Sequence, residues 1–448
     1  MARHDRVPFD SVHVRIFAAR PGKATLAVVL AAALPRLAVL VVERGDILAA
    51  YTEKSDTFAQ TFVTSGTFGF IPGHPSAYTQ PLYGYFLIPL YWIFGRHWLV
   101  VGLAQTAVAV ATALVVREIG RRVAPRLAAA AAIVATLNPY LIWHDVHVNR
   151  EIVDQLVLAG IVLATLIAIE RRSLGWAAFD GALLGVSILG NSRLTALPLV
   201  IAALLAWRLP RGRVAAAALV VVASALVVSP WVVRNRVQVG CFAITTDGRA
   251  LWKANNTATY DTLAAGKWID DVPQPASFPP SAETAADEYA TTHKLVPVDE
   301  CAQMRKFEHL TFVFWRKHPG EKAKLMGQAV ELLWDPRSHE TQGRSGKGTW
   351  RDTARRVGEP LYLVPIYALA LAGLYFAPFG FAAFATLLLA YNTAAAMLFA
   401  GTTRYRVPFD FLLVLLASAV LERALSSRRY RSAMPSAFRS AENDVSAR

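Results

Sequence analysis

The chain has 448 residues, of which 54% are hydrophobic, and its formal net charge at pH 7 is +14. Repeated apolar runs of nearly twenty residues exclude a soluble globular protein and indicate an all-α polytopic membrane protein. The positive charge does not indicate nucleic-acid binding, because the basic residues are spread over the loops and no basic region interleaved with aromatic residues occurs.

The first two apolar runs differ in length. Residues 24–42 follow a basic head and are not followed by a small-residue cleavage site, so we predict a retained first span. Residues 82–94, preceded by Pro81 and ended by Gly95, are too few to cross a bilayer. We therefore predict that this short helix lies along the outer membrane surface.

Without residues 82–94, the apolar runs predict about ten transmembrane helices. They are residues 24–42, 98–116, 127–143, 151–169, 175–190, 194–207, 214–232, 360–377, 379–400 and 406–422.

Basic residues between these runs set the predicted orientation. With the N-terminus in the cytoplasm, the cytoplasmic loops carry the arginines that the positive-inside rule requires, except at an uncharged turn near Pro378. If residues 82–94 crossed the membrane, the arginines of the next loop would lie outside. We therefore predict that both termini are cytoplasmic. The cytoplasmic arginines are Arg117, Arg121, Arg122, Arg126, Arg171, Arg172, Arg208, Arg211, Arg213, Arg423, Arg428, Arg429 and Arg431.

The chain divides into four predicted regions. They are an N-terminal transmembrane catalytic module (1–232) with the first outer loop (43–97), an extracytoplasmic segment of mixed structure (233–358), C-terminal transmembrane helices (359–424) and a cytoplasmic polar tail (425–448). The extracytoplasmic segment begins with a strand-like CFAITT and continues into helical patterns. It holds both cysteines, Cys241 and Cys301, and the sequence leaves open whether they form a disulfide or stay unpaired.

Carboxylates on the predicted outer face are candidates for acid–base chemistry. Asp56, in SDTFAQ, could take a proton from an acceptor hydroxyl while that oxygen attacks an electrophilic carbon; a helix cap or surface acid is the alternative. Glu151 opens a predicted span, where it could take part in the reaction or stabilise the helix dipole. Glu53, His147 and Tyr83 are candidates for the acceptor side or for accessory roles.

Arginines at outer span ends are candidates for holding a phosphate, since guanidinium offers a bidentate fork and stays ionised. Contact with anionic lipid headgroups would explain any one of them, but explains several beside an acidic cluster less well. These arginines are Arg193, Arg234, Arg404 and Arg406.

A metal site near the fourth predicted span is the less favoured interpretation. His144 and His147 lie one helical turn apart beside Asp145 and Glu151, but no cysteine or further histidine completes a ligand set nearby. We therefore predict no metal and no other cofactor.

Seven stretches in nearly the whole chain resemble one family, in that family's order. The chain resembles the bacterial membrane glycosyltransferases of the GT-C fold that are related to protein O-mannosyltransferases and to the aminoarabinose transferase of lipid A. The stretches are SDTFAQTFVTSGTFG, PSAYTQPLYGYFLIPLYWIFG, NPYLIWHDVHVNREIV, GNSRLTALPL, SPWVVRNRVQVGCFAITTDGRALWKANN, FWRKHPGEKAKLMGQAVELLW and GTTRYRVPFDFLLVLLA.

The resemblance implies an inverting glycosyltransferase of the bacterial inner membrane with its active site outside the cytoplasm. The donor would be a polyprenyl-phosphate sugar, and the acceptor a hydroxyl of a protein, glycolipid or polysaccharide. The aspartate that acts as the family's general base falls on Asp56. Glu151 matches an acidic position that opens a later span. Basic positions near the family's lipid phosphate and acceptor match three arginines, Arg193, Arg234 and Arg404.

Two departures from the family leave the sugar and the acceptor open. Thr57 follows Asp56 where several relatives have a glutamate, and Gln80-Pro81 stands where the mannosyltransferases have His-Pro-Pro. A lipid-linked sugar flippase or other transporter is the alternative function, and a catalytically silent scaffold is a third. Intramembrane charges would line a transporter's path, whereas the charges here cluster at span ends, which favours an enzyme.

Overall fold

The computed structural model describes residues 22–49, 53–338 and 350–433. The basic N-terminal head and the last part of the predicted polar tail, residues 434–448, lie outside the described residues. The secondary structure over the described ranges is helical, with one isolated bridge between Ile71 and His74 and no β-strand. The predicted all-α class is therefore confirmed.

The helices form three groups in chain order, and the second group lies between the two membrane-spanning parts of the chain. The first group is α1 (Lys23–Glu43), α2 (Lys54–Ser65), α3 (Pro81–Phe94), α4 (Trp98–Val123), α5 (Ala128–Thr136), α6 (Pro139–His144), α7 (Glu151–Arg171), α8 (Leu174–Gly190), α9 (Leu197–Arg208) and α10 (Arg213–Gln238). The second is α11 (Gly248–Lys253), α12 (Thr259–Ala264), α13 (Ala282–Thr292), α14 (Glu300–Lys317) and α15 (Pro319–Trp334). The last is α16 (Trp350–Phe376), α17 (Phe379–Leu398), α18 (Thr403–Arg406) and α19 (Asp410–Ala433), and short 3-10 turns lie at Ser192–Leu194, Ile269–Asp271 and Val407–Phe409.

Six helices in the described part of the chain are long and apolar enough to cross a membrane. They are α1, α4, α7, α10, α17 and residues Arg355–Phe376 of α16. The chain is thus a multi-pass membrane protein, and the count of ten spans stays a prediction. The predicted span 127–143 is interrupted, because the side chain of Asn138 caps α6 and Pro139 cannot donate a backbone hydrogen bond to α5.

Helix α3 begins at Pro81 and ends before Gly95, as its sequence pattern predicts. Gly95 has a φ of 69°, which a glycine adopts without strain. With fourteen residues, α3 is about 21 Å long, shorter than the roughly 30 Å core of a bilayer. Its last residues Trp92, Ile93 and Phe94 are exposed, which suits a helix at a membrane surface. Its orientation in the membrane stays a prediction.

Glycines allow α8 and α10 to approach closely. A Cβ atom at Gly181 would lie 2.5 Å from the carbonyl oxygen of Val220, and one at Gly185 would lie 2.8 Å from that of Ser224. The two glycines are four residues apart and so lie on the same face of α8. This is the small-residue pattern by which membrane helices bring their backbones together.

The segment between α10 and α16 is helical in its described residues, so the predicted mixed structure is wrong. Residues 241–246, the CFAITT stretch, form no strand because their carbonyls accept hydrogen bonds from α10. Trp231 Nε1 donates to the Ile244 carbonyl at 2.7 Å, and Asn235 Nδ2 donates to the Ala243 carbonyl at 2.8 Å. A disulfide between Cys241 and Cys301 joins the start of this segment to α14.

Three helices extend across the predicted region boundaries. Helix α10 runs to Gln238 and α16 begins at Trp350, so the segment between them is shorter than residues 233–358. Helix α19 continues to Ala433, beyond the predicted end of the last span.

A buried ion pair joins α1 to the end of α6. Arg36 Nε and Nη2 donate to Asp145 Oδ2 at 2.8 and 2.6 Å, and both side chains are about 1% exposed. Arg36 also donates to the hydroxyl and the carbonyl of Thr136. These bonds satisfy a charge that would be costly within a membrane-spanning helix.

Candidate functional site

The site lies at one end of the helix bundle, where α2, the start of α7, the turn before α9 and α18 meet. We call this end the site end. The structure brings five of the residues singled out from the sequence together here. They are Glu53, Asp56, Glu151, Arg193 and Arg404.

Asp56 lies in the first turn of α2, and its carboxylate is held by three donors. Tyr91 donates to Oδ1 at 2.5 Å, Arg96 Nη2 donates to Oδ2 at 2.7 Å, and Gln60 donates to Oδ2 at 3.1 Å. Asp56 is only 3% exposed. Its carboxylate is therefore fixed in position and shielded from bulk water.

The sequence analysis missed Arg96 and Tyr91. Tyr91 lies near the end of α3, and Arg96 follows that helix and is anchored by donating from Nη2 to the Leu48 carbonyl at 2.8 Å. A signal for Arg96 was present, because it is a charge at a predicted outer span end, the criterion that selected the other arginines. Tyr91 gave no such signal, since one tyrosine in an apolar aromatic run looks like packing.

Arg404 joins the carboxylates of two distant segments. Its guanidinium forms ion pairs with Glu53, at the N-cap of α2, and with Glu151, at the start of α7. The Glu151 side chain is 3% exposed, and those of Glu53 and Arg404 are 13% and 15% exposed. Arg404 therefore holds α2 and α7 together at the site end.

Arg193 is a buried cation without a carboxylate partner among the described residues. Nε and Nη2 of its guanidinium form no hydrogen bond there. Its Cζ lies 3.9 Å from the centre of the Tyr405 ring, so the guanidinium stacks on that ring. Burial lowers the pKa of Arg193 to about 10, which leaves it charged at neutral pH.

A second arginine, Arg150, lies near Arg193 and repels it electrostatically. Arg150 Nη1 donates to Gln80 Oε1 at 2.8 Å, and Gln80 Nε2 donates to the Ser192 hydroxyl at 3.1 Å. Gln80 therefore connects the two arginine-bearing segments through the first loop. Arg150 Nε lies 3.5 Å from a Glu151 carboxylate oxygen, so of these two arginines only Arg193 lacks a carboxylate partner among the described residues.

Two other predicted phosphate ligands are engaged in structural contacts. Arg234 donates hydrogen bonds of 2.8 Å to the carbonyls of Ser76 and Phe68. These two bonds hold the loop between α2 and α3 in place. Arg406 is fully buried and donates to Asp410 at 3.1 Å and to the Asp335 carbonyl at 2.6 Å. The structure does not bring either guanidinium into the cluster around Arg193.

Tyr83 lies near the acidic residues and is linked to His147 through Gln105. Tyr83 donates to Gln105, whose amide donates at 2.7 Å to the His147 carbonyl. Asp56 and Glu151 both interact electrostatically with the Tyr83 phenol. Burial lowers the pKa of His147 to about 4, so the ring is neutral at pH 7 and donates from Nδ1 to the Trp143 carbonyl at 2.8 Å.

Within residues 22–49, 53–338 and 350–433, no group of three or more histidine, cysteine, aspartate or glutamate side chains could hold a metal ion. Asp145, considered with His144 and His147 as a metal ligand, is the partner of Arg36 instead.

Comparisons with known proteins agree with this architecture at the level of the fold. No family model and no curated protein matches the chain. A solved structure with a similar fold is the archaeal oligosaccharyltransferase AglB from Archaeoglobus fulgidus, in complex with an inhibitory peptide and a dolichol-phosphate. Its TM-score is 0.50 at 14% sequence identity, and the match covers 95% of this chain. The fold expected from the resemblance is thus confirmed.

The chain spans about half of AglB, 54% of its length. A second solved structure, ArnT from Cupriavidus metallidurans bound to undecaprenyl phosphate, has a TM-score of 0.40 at 16% identity. That match covers 91% of this chain and 79% of ArnT.

Proposed function

We propose that this protein is an inverting glycosyltransferase that moves a sugar from a polyprenyl-phosphate carrier to an acceptor hydroxyl. The reaction takes place on the extracytoplasmic face of a bacterial inner membrane. A family resemblance in sequence, a fold like that of AglB and a site that combines carboxylates with arginines at one end of the bundle support this proposal.

The observation that carries the proposal is the state of Arg193. A buried guanidinium that lacks a carboxylate partner in the described chain is costly, and a second guanidinium nearby raises that cost. A phosphate held by Arg193 would offset this cost, because a guanidinium binds phosphate through charge-assisted hydrogen bonds. Arg193 is therefore the proposed ligand of the donor phosphate.

In the proposed step, the acceptor oxygen attacks the anomeric carbon from the face opposite the phosphate. A new carbon–oxygen bond forms while the bond from that carbon to the phosphate oxygen breaks, and the bonding electrons leave with the polyprenyl phosphate. Asp56 takes the proton of the acceptor hydroxyl. Arg193 stabilises the charge that accumulates on the leaving phosphate.

The sequence alone favours Arg404 as a ligand of the donor phosphate, but its ion pairs favour a positioning role. Its guanidinium is shared by Glu53 and Glu151, so direct contact with the donor phosphate would require it to leave one of them. We propose that Arg404 instead fixes Glu53 and Glu151 relative to Asp56. Glu151 stays a candidate for the reaction through its place in this cluster.

The donor-phosphate assignment can be tested by binding of undecaprenyl phosphate to the purified chain in nanodiscs. Arg193→Ala should weaken binding by about 10²-fold, the scale expected for removing one partner of a buried charged pair. Arg193→Lys should restore only part, because an ammonium cannot reproduce the guanidinium fork. Arg236→Ala, which removes an exposed arginine that donates to the Gly240 carbonyl, should bind like the parent.

If Arg193→Ala bound undecaprenyl phosphate as tightly as the parent does, the assignment of the phosphate site to Arg193 would be rejected. Weakened binding by Arg404→Ala in the same assay would then move the phosphate to Arg404.

The reaction itself can be distinguished from transport in proteoliposomes loaded with a radiolabelled polyprenyl-phosphate sugar. A transferase releases polyprenyl phosphate and labels an acceptor, whereas a flippase moves the intact donor between leaflets. Mass-spectrometric comparison of envelope glycans with and without the gene would then identify the product. Movement of the intact donor without release of polyprenyl phosphate would reject the transferase hypothesis and support a transporter.

A further inference from the structure

A polar cavity lies between the first loop and the segment that follows α10. It encloses about 220 Å³. On this measure one water molecule needs about 10–15 Å³, so the cavity has room for a polar ligand much larger than water. Its walls include Tyr78, Asp247, Arg249, Lys253, Asp270 and Glu283.

Lys54 links the helix that carries Asp56 to two acids of the cavity wall. This residue lies in the first turn of α2 between Glu53 and Ser55, on the same turn as Asp56. Its ammonium lies 3.0 Å from a Glu283 carboxylate oxygen and 3.9 Å from one of Asp247. The helix that presents the proposed base therefore also holds two of the acids in the cavity wall.

Tyr78 presents a hydroxyl that is not used elsewhere in the described part of the chain. The residue is 7% exposed and lines the cavity, and its hydroxyl forms no hydrogen bond with any described residue. Burial and the nearby Asp247 raise the pKa of Tyr78, so the phenol keeps its proton. It can both donate to and accept from a ligand hydroxyl.

The charges around the cavity select the kind of ligand. Acids and cations line the cavity together, with Asp247, Asp270 and Glu283 beside Arg249 and Lys253, so neither an anion nor a cation is clearly favoured. The charged groups pair with each other, Lys54 with Asp247 and Glu283 and Lys253 with Asp270, so the wall is polar and its charges are largely balanced. A neutral molecule with many hydroxyls can donate to the carboxylates and accept from the cations and the phenol.

We propose that this cavity binds a sugar unit of a carbohydrate acceptor, so that the hydroxyl to be glycosylated reaches Asp56. The assignment rests on the proposed transferase function and narrows its acceptor to a glycan. A peptide acceptor is the competing result.

Binding can be measured without the reaction, by saturation-transfer NMR on the full chain in nanodiscs. The probes are two neutral trisaccharides, maltotriose and xylotriose, and a serine-rich heptapeptide. Tyr78→Phe keeps the ring and removes the hydroxyl, so it should weaken trisaccharide binding about fivefold, the usual effect of one hydrogen bond. Glu283→Gln, at a half-exposed position, should weaken it similarly.

Tyr289→Phe is the matched control. Tyr289 lies on α13, the helix that carries Glu283, but it does not line the cavity. Its variant should bind the trisaccharides like the parent. The proposal is overturned if the parent binds neither trisaccharide, if Tyr78→Phe binds them unchanged, or if the heptapeptide binds in their place.

Failure of this proposal can be told apart from failure of the transferase assignment. A chain that releases polyprenyl phosphate but binds neither trisaccharide keeps the transferase and loses the acceptor site. A chain that binds a trisaccharide through Tyr78 but releases no polyprenyl phosphate keeps the binding site and loses the transferase.

Discussion

The carboxylate of Asp56 has to be held in place and still receive a proton. Its two oxygens offer about four acceptor positions, and Tyr91, Arg96 and Gln60 already use most of them. Gln60 is an uncharged donor at 3.1 Å, so an acceptor hydroxyl would displace it most easily. Arg96 and Tyr91 would then keep the carboxylate aligned during the reaction.

Asp56→Asn tests the proposed base. The amide keeps the size of the side chain but cannot take the proton, so we expect transfer to fall by about 10²-fold or more while donor binding persists. Single-turnover transfer by a folded variant measures this. Asp46→Asn, at an exposed acid of the same loop, should retain the parent's rate. A rate close to the parent's for Asp56→Asn would shift the assignment to Glu53 or Glu151.

Residue types and their place at span ends were sufficient to name most of the cluster. Asp56, Glu151 and Arg193 could be named because charges at outer span ends need a reason. Their partners could not be paired in advance, because a contact such as Arg404 with Glu53 depends on how two helices separated by hundreds of residues are rotated. Arg406 satisfied the same sequence criterion and is nevertheless buried against Asp410.

At the scale of helices, the crossing of α8 and α10 depends on the absence of a side chain at Gly181. A Cβ atom there would lie 2.5 Å from a backbone oxygen of α10, so neither helix can relieve the contact by turning a side chain. Gly181→Ala should therefore destabilise the bundle by about 1–3 kcal/mol, the usual cost of overpacking.

Thermal unfolding in detergent measures this change, and Gly175→Ala is its control. A Cβ atom at Gly175, also on α8, would meet only the Ser173 hydroxyl at 3.7 Å. We expect a lower midpoint for Gly181→Ala and little change for Gly175→Ala. Equal midpoints for the two variants would mean that α8 and α10 can separate at no cost.

Hydropathy predicted where most helices lie but not where they are broken. The interruption before α6 depends on Asn138 and Pro139, two residues within a run that is otherwise apolar. The CFAITT stretch has strand-forming residues, yet α10 side chains take up its carbonyls. Local composition could not reveal this, because the competing partners come from another element.

At the scale of the whole molecule, the orientation in the membrane is a prediction that the arginine distribution supports. Thr64 is exposed in the last turn of α2, and Arg211 is exposed between α9 and α10. Thr64→Cys should react with a membrane-impermeant thiol reagent from outside intact cells, and Arg211→Cys should not. Neither native cysteine is free, so labelling reports the new thiol. Reaction of both variants from the same side would reject the orientation.

The arrangement of the segment after α10 over the first loop could not be predicted from sequence. Thr246 donates from its amide to the Ala77 carbonyl at 2.9 Å, and Glu300 accepts from the amide of Ala77 at 3.1 Å. These contacts join positions that lie far apart in the chain, and no periodic pattern encodes them. The all-helical class and the fold follow from the spans, whereas the cavity beside Lys54 follows from these contacts.

The pair formed by Arg36 and Asp145 has a consequence for how the protein is made. The two residues are 109 positions apart, so at about 5–20 residues per second the ribosome adds Asp145 roughly 5–20 s after Arg36. During that interval the first helix carries a cation without its final partner, which disfavours its release into lipid. We expect this helix to stay beside the insertion machinery until α6 arrives, and the bundle to assemble around the pair.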